Sequence, residues 1–238
     1  MATALDQGLG VREITGAGGR GRVLAVYRAA AYLRFPAGLF ALTSAAAPPG
    51  PLHLRVAVLP VLRPGQPVGI TGAALSGPDW TVGLDAPTWI GTLPTPSPPA
   101  PAVTDSGDSH PTPAGLAVLA RAWGGRGPGL TPYGDDLLAG ALLATRARRG
   151  PAAALELSAL ASAVSTTAVA AAFLRWAALG QCIEPAHAWL GAVADRDQAG
   201  MARAAARLSA IGASSGHGLL TGMTLAFSSR ATTPTPSG

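Results

Sequence analysis

The chain has 238 residues, of which 48% are hydrophobic and 12% charged. That is enough apolar material for one or two folded domains and too little charge for a disordered chain. All 17 basic residues are Arg, so a net charge of only +5 carries the pI to 10.6 without a strong positive field. The arginines are dispersed along the sequence with no basic stripe interleaved with aromatics, and on that reading nucleic acid is set aside as a partner.

The amino-terminal part, residues 1–93, reads as β-rich. Short apolar runs lie at Arg22–Tyr27, Ala31–Phe35 and Gly38–Leu42, and residues Leu52–Val58 alternate as a half-buried strand does. Pro and Gly punctuate the boundaries. Residues 94–113 hold seven prolines among Ser, Thr and Asp, which forbids a helix or a central strand and reads as a linker or long loop. From Ala114 to Phe227 the period becomes helical, with helices expected at Ala114–Trp123, Asp135–Arg148, Ala152–Val164, Ala168–Leu179, Ala186–Ala194, Gln198–Ile211 and Gly218–Phe227. Thr166 or Thr167 would cap the fourth and Gly180 end it, and Asp197 would cap the sixth. Residues 228–238, rich in Thr, Pro and Ser, read as a disordered tail. The expected class is α+β, a β-rich amino-terminal part followed by a mostly helical carboxy-terminal part.

The uncharged stretch from Leu157 to Leu174 has nearly the length of a membrane span, but its serines, threonines and alanines fit a buried helix pair better. Met1 to Gly10 has neither a basic nor an apolar leader region. A cytoplasmic protein with no membrane partner is the expectation.

Several patterns carry less than they promise. Gly16–Gly21 spells a glycine-rich dinucleotide fingerprint, yet a strand rather than a helix follows it, so it reads as a turn. Gly212-Ala213-Ser214-Ser215-Gly216 spells a nucleophile elbow, but it follows a helix and no acid lies beyond Ser214, so a serine hydrolase is rejected. Without Lys there is no P-loop or Schiff-base lysine; with only Cys182 there is no intrachain disulfide or multi-cysteine zinc site. His53, His110, His187 and His217 show no metal-ligand spacing.

The loop from Trp123 to Asp136 stands apart. Its glycines let backbone approach a ligand, and it runs into a helix start, which favours an anion. Asp135 and Asp136 add acceptors for N–H groups or for a cation; their bland role is to complement the helix dipole. There is also an internal echo: Gly134–Gly140 aligns with Gly216–Gly222, each with Leu-Leu in the first turn. It reads either as two similar helix starts or as two loops facing one site. The substrate-binding set expected is Gly129, Thr131, Gly134, Asp135, Asp136, Thr166, Thr167, Ser214, Ser215 and Gly216. No residue is assigned as catalytic and no metal set is identified, although magnesium is the one cofactor the two carboxylates would admit.

Three segments together carry a resemblance: Gly129–Gly140; Ser165-Thr166-Thr167 with Phe173, Leu174, Gly180 and Glu184; and Gly212–Gly216 with Leu220 and Gly222. In these the chain resembles the bacterial AllH-like family, over Ala114 to Phe227. The resemblance implies a subunit of an oxamate carbamoyltransferase of allantoin breakdown, which takes oxalurate and phosphate to oxamate and carbamoyl phosphate. It implies as partners an FdrA-like protein and another carbamoyltransferase subunit. The sequence departs from the family at Gly218, where the family carries Asp. The alternative function is a non-catalytic scaffold or ligand-sensing subunit. No nucleophile is required if phosphate attacks a positioned carbonyl.

Overall fold

The structure is a computed structural model that describes residues 2–94 and 113–227. The expected tail, and the expected Pro-rich linker but for its two end residues, fall outside the described residues. The chain divides into two compact units, Met1–Thr92 with Gln181–Glu184, and Leu93–Gly180 with Pro185–Gly238.

The first unit is a β-barrel. Its elements in chain order are β1 (Ala2–Gly8), α1 (Leu9–Ala17), β2 (Gly19–Val26), β3 (Ala30–Phe35), β4 (Gly38–Ser44), β5 (His53–Val56), β6 (Pro67–Thr71), β7 (Ala74–Ser76), β8 (Thr81–Gly83) and β9 (Thr88–Trp89). The strands form one nine-stranded sheet in the order β5-β4-β3-β2-β6-β7-β8-β1-β9. An additional antiparallel pairing of β1 with β5, Ala4 opposite Val56 and Gln7 opposite Leu54, closes it on itself. Closure removes the free edges that an open sheet exposes. β3 alternates, burying Ala31, Leu33 and Phe35 while Tyr32 and Arg34 face outward, whereas β4 is buried on both faces from Leu39 to Thr43. Inward residues meet in one core, where Phe35 and Phe40 stack at 5.6 Å between Leu33, Leu42, Leu54, Val68 and Leu75.

The four expected strands are present with shifted ends. β1, α1 and β6 to β9 went unanticipated, because β1 lacks alternation and the rest are short or broken by Gly. The glycine run at Gly16–Gly21 joins the end of α1 to the start of β2, helix before strand, the reverse of what a dinucleotide fingerprint needs.

The second unit is helical: α2 (Pro113–Trp123), α3 (Tyr133–Arg149), a 3-10 turn at Pro151–Ala153, α4 (Ala154–Ser162), α5 (Ala168–Ala178), α6 (Glu184–Ala194), α7 (Gln198–Ser209) and α8 (Ser215–Phe227). All seven expected helices are found. Thr167 accepts from the Ala170 N–H at 3.0 Å to start α5, and Asp197 accepts from the Gly200 N–H at 2.9 Å to start α7. The uncharged stretch is split between α4 and α5, and no helix among the described residues is long and apolar enough to cross a membrane.

α3 is the axis of this unit, buried around most of its girth from Leu137 to Ala147. Its partner α8 lies against it almost backbone to backbone. A Cβ added at Gly140 would come within 2.1 Å of the Leu219 carbonyl oxygen, and one at Gly222 within 1.8 Å of the Leu137 carbonyl oxygen. Gly218 faces Tyr133 and Asp136, while Gly222, one turn on, faces Leu137 and Ala141. The contacts advance together along both chains, so α3 and α8 run parallel and their amino-terminal turns lie side by side. The echo between Gly134–Gly140 and Gly216–Gly222 is thus a packing relation, with Gly140 and Gly222 in equivalent roles.

Candidate functional site

The side-by-side starts of α3 and α8 bring the two glycine-rich loops together. Before α3 the chain folds back on itself. Gly125 and Gly127 have φ of +70° and +124°, and a Cβ on them would meet the Ser165 carbonyl oxygen at 2.6 Å and the Tyr133 nitrogen at 2.9 Å. Both left-handed backbone and close approach therefore demand glycine there. The fold-back has a consequence for the expected anion site. The Gly134 N–H donates to the Arg126 carbonyl oxygen at 3.0 Å, and the Asp135 and Asp136 N–H groups donate to the Pro132 carbonyl oxygen. The loop supplies acceptors for the N–H donors that an open helix start would offer to an anion. Side chains, not amides, define this site.

Asp135 and Asp136 have separate environments. Asp135 is 2% exposed. Its Oδ1 accepts from the Gly125 N–H at 2.9 Å and its Oδ2 from the Thr166 hydroxyl at 2.5 Å, so it ties the loop to the start of α5. The Thr167 hydroxyl donates to the Leu130 carbonyl oxygen, a second tie between the same segments. Asp136 points to α8. The Ser215 hydroxyl bonds to its carboxyl, and Thr131 Oγ1 lies 3.0 Å from Ser215 Oγ. With the Ser215 proton given to Asp136, Thr131 donates to Ser215, a short relay across the two loops. The remaining oxygen, Asp136 Oδ2, is buried and has no hydrogen-bond partner. Burial pushes the Asp136 carboxyl up to about 7; the Ser215 bond opposes this, and the neighbouring Asp135 charge adds to it. Around neutral pH Asp136 is therefore divided between an acid that donates and a carboxylate that accepts.

Of the expected residues, Thr131, Asp136 and Ser215 meet directly, and Asp135, Thr166 and Thr167 bind the loop around them. Gly134 and Gly216 are packing positions: a Cβ would come within 2.0 Å of the Trp123 oxygen and 1.7 Å of the Leu208 oxygen. Gly129 and Ser214 are exposed. Two aromatic groups absent from the expected set border the site, the Tyr133 and His217 rings with centroids 6.5 Å apart. Both lie in the first turns of the helices, Tyr133 in α3 and His217 in α8; the echo contains His217, opposite Asp135, and stops one residue short of Tyr133. Gly218 sits where a Cβ would be 3.0 Å from Asp136 Cβ and 3.2 Å from the Tyr133 ring, so a side chain there would press on Asp136. A divalent cation prefers six or more oxygen ligands. Asp135 has both oxygens engaged by donors, and among the described residues no cluster of three or more His, Cys, Asp or Glu exists.

Comparison with curated proteins and with solved structures gives no match. Residues 123–227, which take in the loop and α3 to α8, match the model of the family described as oxamate carbamoyltransferase subunit AllH.

Proposed function

We propose that the helical unit binds a small ligand carrying ureido and carboxylate groups at the joined starts of α3 and α8, in an oxamate carbamoyltransferase-like reaction. The observation that carries this reading is Asp136, a buried carboxyl with one unpartnered oxygen, linked to Ser215 and Thr131. The match of the same residues to the oxamate carbamoyltransferase subunit family is consistent with such a ligand.

Oxalurate and phosphate give oxamate and carbamoyl phosphate. A phosphate oxygen bonds to the terminal ureido carbonyl carbon, the bond from that carbon to the oxamate nitrogen breaks, and the departing nitrogen takes up a proton. An acid that is half-protonated near neutrality suits that last step, because proton transfer is most effective when the donor's pKa lies near the working pH. In this reading Asp136 gives the proton, the Thr131–Ser215 relay fixes its orientation, and Tyr133 and His217 border the planar ligand. An FdrA-like protein and a further subunit complete the enzyme, and the protein works in the cytoplasm.

A second reading, a ligand-sensing or scaffold subunit, is favoured by one observation. Asp135 is wholly engaged in holding the loop, and Gly218 contributes no carboxylate, so a single acid serves the site. Calorimetric titration with oxalurate, oxamate and phosphate, with a carbamoyl-phosphate assay on the protein co-purified with its genomic neighbours, separates the two. Turnover abolished by Asp136→Asn supports the enzyme. Ligand binding without turnover in any assembly supports the sensor, and no binding of any of the three ligands defeats both.

A further inference from the structure

The barrel carries a second surface that the helical site leaves unused. Strand pairing assembles what the linear sequence disperses. Arg22 on β2 lies directly opposite Arg34 on β3. Arg20 is two residues along β2 on the same outward face, about 7 Å away by strand geometry. Tyr32 is two residues along β3 from Arg34, and its ring meets Tyr27 edge-on at 6.1 Å. Arg28 stands at the turn between the two strands. The four arginines are exposed, Tyr27 is 53% exposed, and none of these arginines has an ion pair among the described residues. Like charges directly opposite one another destabilise a sheet, and among the described residues no carboxylate is paired with Arg22 or Arg34.

On the β6 side the same row looks onto a low floor. Arg20 is opposite Gly69 and Arg22 opposite Pro67, so no long side chain rises beside the arginines. The outcome is a cationic track with the exposed Tyr27 ring, backed by the half-buried Tyr32, at one end. β2 pairs with β3 through Arg22–Val26 and with β6 through Gly19–Arg22, so neither edge is open along its length to a peptide added as a strand. Its occupant must be held by side chains alone. Guanidinium forks match phosphate oxygens, and exposed rings stack on bases of any sequence.

We propose that the outer face of β2 and β3, with Arg20, Arg22, Arg34 and the Tyr27–Tyr32 pair, is a binding track for single-stranded nucleic acid. Arg20, Arg22 and Arg34 take the phosphates, and Tyr27 takes a base. The track is separate from the helical site and stands or falls independently of the function proposed there.

The test is fluorescence anisotropy of the full chain with a labelled 20-nucleotide oligo(dT), over a salt series. The affinity should fall as salt rises, and each of Arg20→Ala, Arg22→Ala and Arg34→Ala should flatten the slope by about 0.7 in log–log terms. Tyr27→Ala should weaken binding several-fold with the slope unchanged. Arg34→Glu guards against a folding artefact: it places opposite charges across the strands, so it should raise the melting temperature while weakening binding at least tenfold. The proposal is overturned by absence of binding at 50 mM salt and micromolar protein, by equal affinity of the Arg34→Glu variant, or by competition from polyglutamate as effective as that from unlabelled oligo(dT). That last result would mark the face as a dock for an acidic protein.

Discussion

Two adjacent aspartates in the first turn of α3 are set to opposite tasks by their neighbours. Asp135 accepts from two donors, the Gly125 N–H and the Thr166 hydroxyl. An amide could keep its oxygen on Gly125 and donate its NH₂ to the Thr166 oxygen, so the decisive change is one that removes both acceptors. Asp135→Ala should destabilise the protein by roughly 1–3 kcal/mol, the usual cost of leaving a buried donor unpaired. Asp136 is the reverse case. Its carboxyl is pushed from 3.8 up to about 7 by burial. The folded state holds a proton that the unfolded state has released between those two values, so stability is full below about pH 4 and falls as pH rises to about 7. Above that the loss levels off. Asp136→Asn removes the charge and should flatten this fall, leaving the variant more stable than the parent at pH 8. Chemical denaturation of both variants at pH 5 and pH 8 measures the two effects. A pH-independent difference between parent and Asp136→Asn would contradict the burial of this carboxyl as the cause.

Elements were read with unequal success, and the reasons are physical. All seven large helices of the second unit were legible because each carries several turns of periodic apolar residues, and Thr167 and Asp197 announced their starts. The contact between α3 and α8 was visible only as an echo. Its meaning depends on a distance no sequence pattern states, the approach of Gly140 and Gly222 to the opposite backbone. That approach makes a sharp expectation. In an exposed helix Gly→Ala is stabilising by about 1 kcal/mol. At Gly222 the new methyl would sit 1.8 Å from the Leu137 carbonyl oxygen, and backbone cannot step aside as a flexible side chain would. Gly222→Ala should instead cost at least the 1–3 kcal/mol typical of overpacking and separate Thr131 from Ser215. A lowered melting temperature together with loss of ligand binding is the expected result, and a stabilised protein would refute the close packing. The site itself was half legible: the loop and Asp136 were singled out from glycine and acid spacing. What escaped was the folding back of the loop onto the helix amides, which removes the open helix start that the same glycines suggested.

At the scale of the molecule, the β-rich half shows where local pattern stops being informative. β2 to β5 were found, the first three as apolar runs and β5 by alternation; β1 lacks alternation and β6 to β9 are short or interrupted, and they are strands because closure gives every one of them partners on both sides or a place against β1. Long-range pairing, as of Ala4 with Val56, fixes them, and no window of neighbouring residues contains that information. A closed barrel concentrates its stability inside, where the stacked Phe35 and Phe40 fill the middle and Phe40 has no exposed surface. Phe40→Ala leaves a cavity whose walls, hydrogen-bonded all round the ring, have little freedom to collapse inward. The substitution should cost about 3–5 kcal/mol, toward the upper part of what large-to-small core changes do. Phe40 belongs to the first unit and the Thr131–Asp136–Ser215 cluster to the second. At temperatures where the variant is still folded, its titration with oxamate should match the parent's, whereas Gly222→Ala should lose it. Paired denaturation and titration of the two variants check this, and a Phe40→Ala protein that is folded yet blind to oxamate would show that the cluster does not bind ligand on the strength of its own unit.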